Sequence, residues 1–106
     1  MKTSTKTLLQ QTLDKYYPAD GKAYLFGSRA RGDSTPNSDW DILLLLNKSE
    51  HVTDADYQLY AYPLVELGLS INEVINPILY TISDWEQRSF TPFYKEVSQE
   101  GISLRH

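Results

Sequence analysis

At 106 residues the chain has room for one hydrophobic core, and its 41% hydrophobic and 23% charged content exclude extensive disorder. The absence of cysteine excludes disulfides, thiolate metal sites and a cysteine nucleophile. A formal net charge of −4, with Arg29 and Arg31 as the only dense basic cluster, speaks against the broad basic face that long nucleic acid requires; the cluster is large enough for a triphosphate.

In chain order, Thr5 to Tyr17 carries Leu8, Leu9, Leu13, Tyr16 and Tyr17 at helical spacing, and Pro18 follows as a stop. Lys22 to Phe26 reads as a short strand between Gly21 and Gly27. The stretch from Gly27 to Ser38, rich in Gly, Ser, Pro, Asp and Asn, is expected to turn, with one short helical turn inside it. Asp39 to Leu46 is a second strand whose end is apolar on both faces, the pattern of a central strand covered on both sides. Thr53 to Leu67 is predicted helical, with Thr53 as N-cap, Asp54 and Asp56 in the first turn, and Gly68 as the stop. Ser70 to Ile82 alternates loosely, and its Pro77 belongs at a sheet edge or bulge. Ser83-Asp84-Trp85-Glu86 fits a capping box opening a helix that Thr91-Pro92 interrupts and restarts, and that ends at Gly101. This order predicts an α/β (α+β) single domain over residues 1–106, with a small mixed sheet of about three to five strands and helices packed over it.

The chemistry concentrates in two segments. Gly27-Ser28-Arg29-Ala30-Arg31-Gly32 follows a strand, and glycine at position 27 permits backbone angles and close approaches that a side chain forbids. Ser28 adds a hydroxyl, the backbone amides of such a turn form an anion-binding concavity, and Arg29 and Arg31 offer cationic forks for phosphate oxygens. After a polar spacer comes Ser38-Asp39-Trp40-Asp41, opening the apolar strand. Residues i and i+2 of a strand share a face, so the Asp39 and Asp41 carboxylates stand side by side. Such a pair repels itself unless a cation intervenes, and Mg²⁺ is commonly bound by one or two carboxylates plus substrate phosphates. Each segment alone is more often an ordinary turn or strand edge; the combination is the signal.

That combination resembles the signature of the DNA polymerase beta-like nucleotidyltransferases, and in particular their minimal (MNT-type) branch. The resemblance covers most of the chain and implies the polymerase beta-like nucleotidyltransferase core. It further implies that Asp39 and Asp41 are catalytic and hold Mg²⁺, with two ions when a nucleotide is bound. Gly27, Ser28, Arg29 and Arg31 would contact the phosphates of ATP or another NTP. A hydroxyl on the acceptor would attack the α-phosphorus, with pyrophosphate leaving. The family's third carboxylate would fall near Asn76, which is neutral; Glu73, three residues away, is the only acid of that segment and the candidate third metal ligand.

Two functions follow. One is an enzyme that transfers a nucleoside monophosphate, in the first place AMP from ATP, to a hydroxyl on a protein, a small molecule or an RNA end. The other is an antitoxin-like module that neutralises a helical partner of HEPN type, or forms a homo-oligomer, with weak or no catalysis. No signal-like segment opens the chain, and its longest apolar run, Ile42 to Leu46, is far too short for a membrane span; a cytoplasmic protein without membrane partners is expected. Trp40 should point away from the aspartates into the core. His51 and His106 lack ligand spacing. Tyr57, Tyr60 and Tyr62 should pack a helix against the sheet or a partner, and Trp85, Phe90, Phe93 and Tyr94 should anchor the last helix.

Overall fold

The computed structural model describes residues 3–105. Helix α1 (Thr5–Tyr16) begins where the Thr7 amide donates to the Ser4 hydroxyl at 3.2 Å, and it ends before Pro18, a residue that disfavours helical angles in its predecessor. Strand β1 (Lys22–Phe26), the one-turn helix α2 (Ser28–Arg31) and strand β2 (Trp40–Leu46) follow. The Thr53 hydroxyl and the Asp56 carboxylate cap each other's backbone amides and open α3 (Asp54–Asp56). That helix runs on through a π-helical stretch, Tyr57–Ala61, into α4 (Tyr62–Ile71).

Strand β3 (Ile75–Thr81) leads into α5 (Ile82–Glu86), then α6 (Pro92–Glu100) and the two-residue β4 (Ile102–Ser103). The sheet order is β3-β2-β1-β4, with β2 and β3 parallel and the other pairs antiparallel. Strand β2 is apolar on both faces because helices cover both. Ile42, Leu44 and Leu46 pack with Leu9 and Leu13 of α1 and Leu64 of α4, whereas Leu43 and Leu45 pack with Phe26, Trp85 and Val97 on the α5/α6 side. Burying such side chains contributes about 1.5–3 kcal/mol each, and all five residues from Ile42 to Leu46 are buried.

Pro77 sits on an edge strand, as its missing N–H requires. The Trp40 amide donates to the Val74 carbonyl at 2.8 Å, so strand alternation turns the even-numbered residues of β3 towards β2 and Pro77's nitrogen towards the free edge. No ladder bond is lost, and a proline on the open side blocks edge-to-edge pairing.

Two expectations change. The helix does not stop at Gly68; it continues to Ile71 and ends at Asn72, which adopts the left-handed conformation (φ 57°, ψ 43°) that asparagine tolerates. Gly68 is there for space, since a Cβ at that position would lie 2.6 Å from the Glu73 carbonyl oxygen. Gly68→Ala is therefore expected to destabilise the fold by about 1–3 kcal/mol, read as a lower urea midpoint, although alanine favours helices elsewhere. Second, the cap of α5 is Thr81, whose hydroxyl accepts from the Asp84 amide at 3.0 Å, rather than Ser83. Beyond α6, β4 carries too few residues to show a period, and pairing with β1 makes it a strand.

Arg105, just past β4, lies over the Tyr17 ring and donates to the carbonyls of Leu13 at 2.7 Å, Tyr17 at 2.8 Å and Pro18. It adds a charged donor where α1 ends, to the Tyr17 carbonyl and to those of Leu13 and Pro18, which also accept from the Tyr17 and Gly21 amides. Burial, the largest influence, pushes the Tyr17 hydroxyl well above its ordinary 10.

Lys48 donates to Asp56 at 2.7 Å, and with the Thr53 cap this holds the Asp56 carboxyl below its ordinary 3.8. A lowered folded-state value means stability that is fully present above about pH 4 and is lost as pH falls through that lower value. Asp56→Asn is expected to flatten this acid limb of the stability profile, measured by urea unfolding at a series of pH values from about 6 to 3.

Candidate active site

Asp41 lies in the central strand opposite Phe26 of β1 and Asn76 of β3. Phe26 leads directly into Gly27, so the turn and Asp41 adjoin. Gly27 has φ 74° and ψ −159°, a region open essentially to glycine alone, and a Cβ there would lie 2.5 Å from Asp41 Oδ2. Ser28 opens α2, in which the amides of Ala30 and Arg31 donate to the Gly27 carbonyl at 3.0 and 3.1 Å. The first amides of a helix have no helical acceptor and remain able to bind another one. Gly32 ends the turn with φ 85°.

Asp39 stands one residue before the first residue of β2 and is exposed; Asp41 is half-buried. Asn76 Nδ2 donates to Asp39 Oδ2 at 2.8 Å, so Asp39, Asp41 and Asn76 gather at one end of the sheet beside Gly27. The side chains of Leu43 and Leu45, which share the alternation of Asp41, pack on the α5/α6 side, and that is the side the Asp41 carboxylate faces.

The other face carries a polar clamp. Trp40 is half-buried against the α1/α4 core, pointing opposite to Asp41. The Arg29 guanidinium lies 4.6 Å above its ring and donates to the Ser38 carbonyl from Nε at 3.3 Å and Nη2 at 3.0 Å. Trp40 Nε1 donates to Glu73 Oε2 at 3.3 Å, and Glu73 also sits 3.8 Å from Arg29 Nη2. This fastens the spacer just before Asp39.

This arrangement engages two of the residues singled out by sequence within the fold. Glu73 does not join Asp39 and Asp41; it is held by Trp40 and Arg29, and Asn76 is the residue in register with Asp41. Among the described residues no group of three His, Cys, Asp or Glu side chains could hold a metal ion. Arg29 is not a free phosphate fork, because its side chain is only 15% exposed and hydrogen-bonded within the fold. Arg31 is half-exposed and pairs with Asp33 at 3.3 Å, Glu96 at 3.2 Å and Glu100 at 3.5 Å, joining the turn to α6. An anion would gain Arg31 only in exchange for those carboxylates. Spacing alone did not reveal the Arg29–Trp40–Glu73 clamp, because its members come from three separate segments.

Of the remaining side chains singled out by sequence, His51 contacts Asp84 at 2.7 Å on the surface, and His106 lies outside the described residues. Tyr60 packs edge-on against Tyr17, while Tyr57 and Tyr62 are exposed. Trp85 is buried among Tyr80, Phe93 and Tyr94, and Phe90 is exposed. No described helix is long and apolar enough to cross a membrane.

With this geometry in hand, the chain can be set beside known proteins. It is 32% identical over 99 residues to a putative protein adenylyltransferase of Methanocaldococcus jannaschii, an alignment covering 93% of this chain and 92% of that protein. Its fold is similar to the crystal structure of a toxin-antitoxin with AMP-PNP (TM-score 0.64, 20% identity, 95% of this chain and 73% of that chain). It is also similar to a mutant of the toxin-antitoxin MntA-HpeT (TM-score 0.61, 17% identity, 95% and 72%). The family model for the nucleotidyltransferase domain matches residues 6–100, nearly the whole chain. On that match, and with a relative of 32% identity aligned over nearly its full length, the chain belongs to the nucleotidyltransferase domain family.

Proposed function

We propose that the protein is a magnesium-dependent nucleotidyltransferase that transfers AMP from ATP to a hydroxyl of a partner protein. The observation that carries this reading is the contact between the turn and the acid pair, in which a Cβ on Gly27 would meet Asp41 Oδ2 at 2.5 Å. Anything bound by the backbone of that turn therefore lies beside the carboxylates. A protein acceptor is favoured by the relative named a putative protein adenylyltransferase, which aligns with this chain over nearly its full length.

The donor set fits Mg²⁺. Asp39 and Asp41 present hard carboxylate oxygens on one side of the sheet, and substrate phosphates would complete the coordination. When bound, the cation would neutralise the charge developing on the phosphates. The backbone at Gly27 and Ser28 would receive the phosphate oxygens, and Arg31 would join them on leaving Glu96 and Glu100. The clamp of Arg29, Trp40 and Glu73 holds the spacer so that Asp39 needs little rearrangement, which favours reaction by positioning. The acceptor oxygen then bonds to the α-phosphorus, the bond to the β-phosphate breaks, pyrophosphate leaves, and the hydroxyl proton passes to solvent. A cytoplasmic location, where ATP is available, accords with this reading.

Incubation with α-labelled ATP, Mg²⁺ and candidate acceptor proteins tests the reading. Label should appear on an acceptor with the natural protein and not with Asp39→Asn or Asp41→Asn. A second reading is an antitoxin-like module that neutralises a helical partner of HEPN type by binding. It is supported by the two toxin-antitoxin structures of similar fold and by the exposed Tyr57, Leu69 and Val74. Neutralisation that survives both aspartate substitutions would select binding over catalysis.

A further inference from the structure

Asn76 has features that its place in the sheet does not explain. It is exposed, so no burial forces a hydrogen bond on it, yet its amide donates to Asp39 Oδ2 at 2.8 Å. It stands in register with Asp41 on the neighbouring parallel strand, which puts it on the face of the acid pair. It therefore contacts one carboxylate, stands in register with the other and contributes no charge. Glu73, the other candidate on that segment, is turned away to Trp40 and Arg29.

We infer that Asn76 is a positioning residue that fixes the Asp39 carboxylate through its amide and, by staying neutral, makes capture of a divalent cation by Asp39 and Asp41 conditional on nucleotide. The inference rests on the proposed metal–nucleotide reading of this site. The physical case has three steps. An N–H donated to Asp39 Oδ2 occupies a lone pair that a cation would otherwise use, and it orients the remaining oxygen. Two carboxylates alone carry too little charge and too few oxygens to strip water from Mg²⁺, which prefers six oxygens and dehydrates reluctantly. Nucleotide phosphates supply both, so cation and nucleotide bind as a unit, and by linkage each raises the other's affinity by the same factor. At rest the protein holds neither firmly.

Mn²⁺ serves as the probe, titrated calorimetrically into the natural protein, Asn76→Asp, Asn76→Ala and Asp41→Asn, with and without a non-hydrolysable ATP analogue. Melting curves without cation check that each variant folds, which the exposure of Asn76 favours. The natural protein should bind Mn²⁺ weakly alone and strongly with the analogue. Asn76→Asp, which adds a charge and removes the donor, should bind Mn²⁺ without nucleotide at least about tenfold more tightly, with the mutual enhancement reduced to match. Asn76→Ala, which frees that lone pair but adds no charge, should gain far less nucleotide-free affinity than Asn76→Asp and should lose several-fold in binding the Mn²⁺–analogue complex.

If Asp41→Asn binds that complex as well as the natural protein does, the metal–nucleotide reading of the site fails. If Asp41→Asn loses it, the site stands, and three results would still overturn the role of Asn76. These are tight nucleotide-free Mn²⁺ binding by the natural protein, no gain in Asn76→Asp, and unchanged binding of the complex by Asn76→Ala.

Discussion

Replacing Asp41 by asparagine is expected to lower nucleotidyl transfer by about a thousandfold or more while leaving the fold intact. The substitution keeps shape and volume and removes one of two charges. Losing several kcal/mol of charge stabilisation at a metal–phosphate centre corresponds to roughly that factor. Asp41 is half-buried at the end of β2, and Ile42 to Leu46 beyond it are wholly buried on both faces, so the strand does not depend on the carboxylate. The thermal midpoint should move little, and relief of repulsion between neighbouring acids acts to raise it. Single-turnover assays with saturating ATP separate the chemical step from binding. A variant within tenfold of the natural rate would remove Asp41 from the machinery.

Gly27→Ala should damage both stability and nucleotide binding. The backbone there (φ 74°, ψ −159°) is one that side chains resist at a cost of about 1–3 kcal/mol, and the new methyl would lie 2.5 Å from Asp41 Oδ2. Either the turn shifts or the carboxylate does, and both lie on the proposed phosphate path. Urea unfolding should show a loss of at least about 2 kcal/mol, and titration with an ATP analogue should show at least about tenfold weaker binding. Gly32→Ala is the control. Gly32 also has a left-handed backbone (φ 85°), but no atom lies within 4 Å of where its Cβ would stand. That variant should show strain alone, with binding unchanged. Equal binding losses in the two variants would mean that backbone strain, and not the contact with Asp41, governs the site.

Residue periodicity and local chemistry carried the sequence reading far because the features concerned are local. Lys22 to Phe26 was legible as a strand from the glycines at its ends. The buried run from Ile42 to Leu46 implied a central strand because only a strand covered on both faces tolerates five consecutive apolar residues. Thr53 as N-cap, with Asp54 and Asp56 in the first turn, announced a helix start within four residues, and Pro77 announced an edge or a bulge through the ladder bond it cannot make. The turn at Gly27 and the Asp39/Asp41 pair were likewise visible, since each is a short segment whose residue types suit a phosphate and a cation.

What the sequence could not reveal are contacts between segments. Gly68 resembled a helix stop, and only the return of the chain at Glu73 shows that it makes room for a carbonyl. Arg29 and Arg31 looked alike as phosphate ligands, two residues apart. The fold turns Arg29 inwards onto Trp40 and Arg31 outwards to α6, because side chains two residues apart on a helical turn do not share a face. Glu73 and Asn76 could not be ranked by spacing. The parallel register of β3 against β2 puts Asn76 beside Asp41, and the indole nitrogen of Trp40 holds Glu73. By itself, then, the sequence determined where the carboxylates and the glycine turn stand along the chain, since strand alternation and backbone freedom are local properties. Which charged side chains remain free to meet a ligand was decided by tertiary packing, because a guanidinium or carboxylate takes the nearest strong partner and that partner comes from elsewhere in the chain.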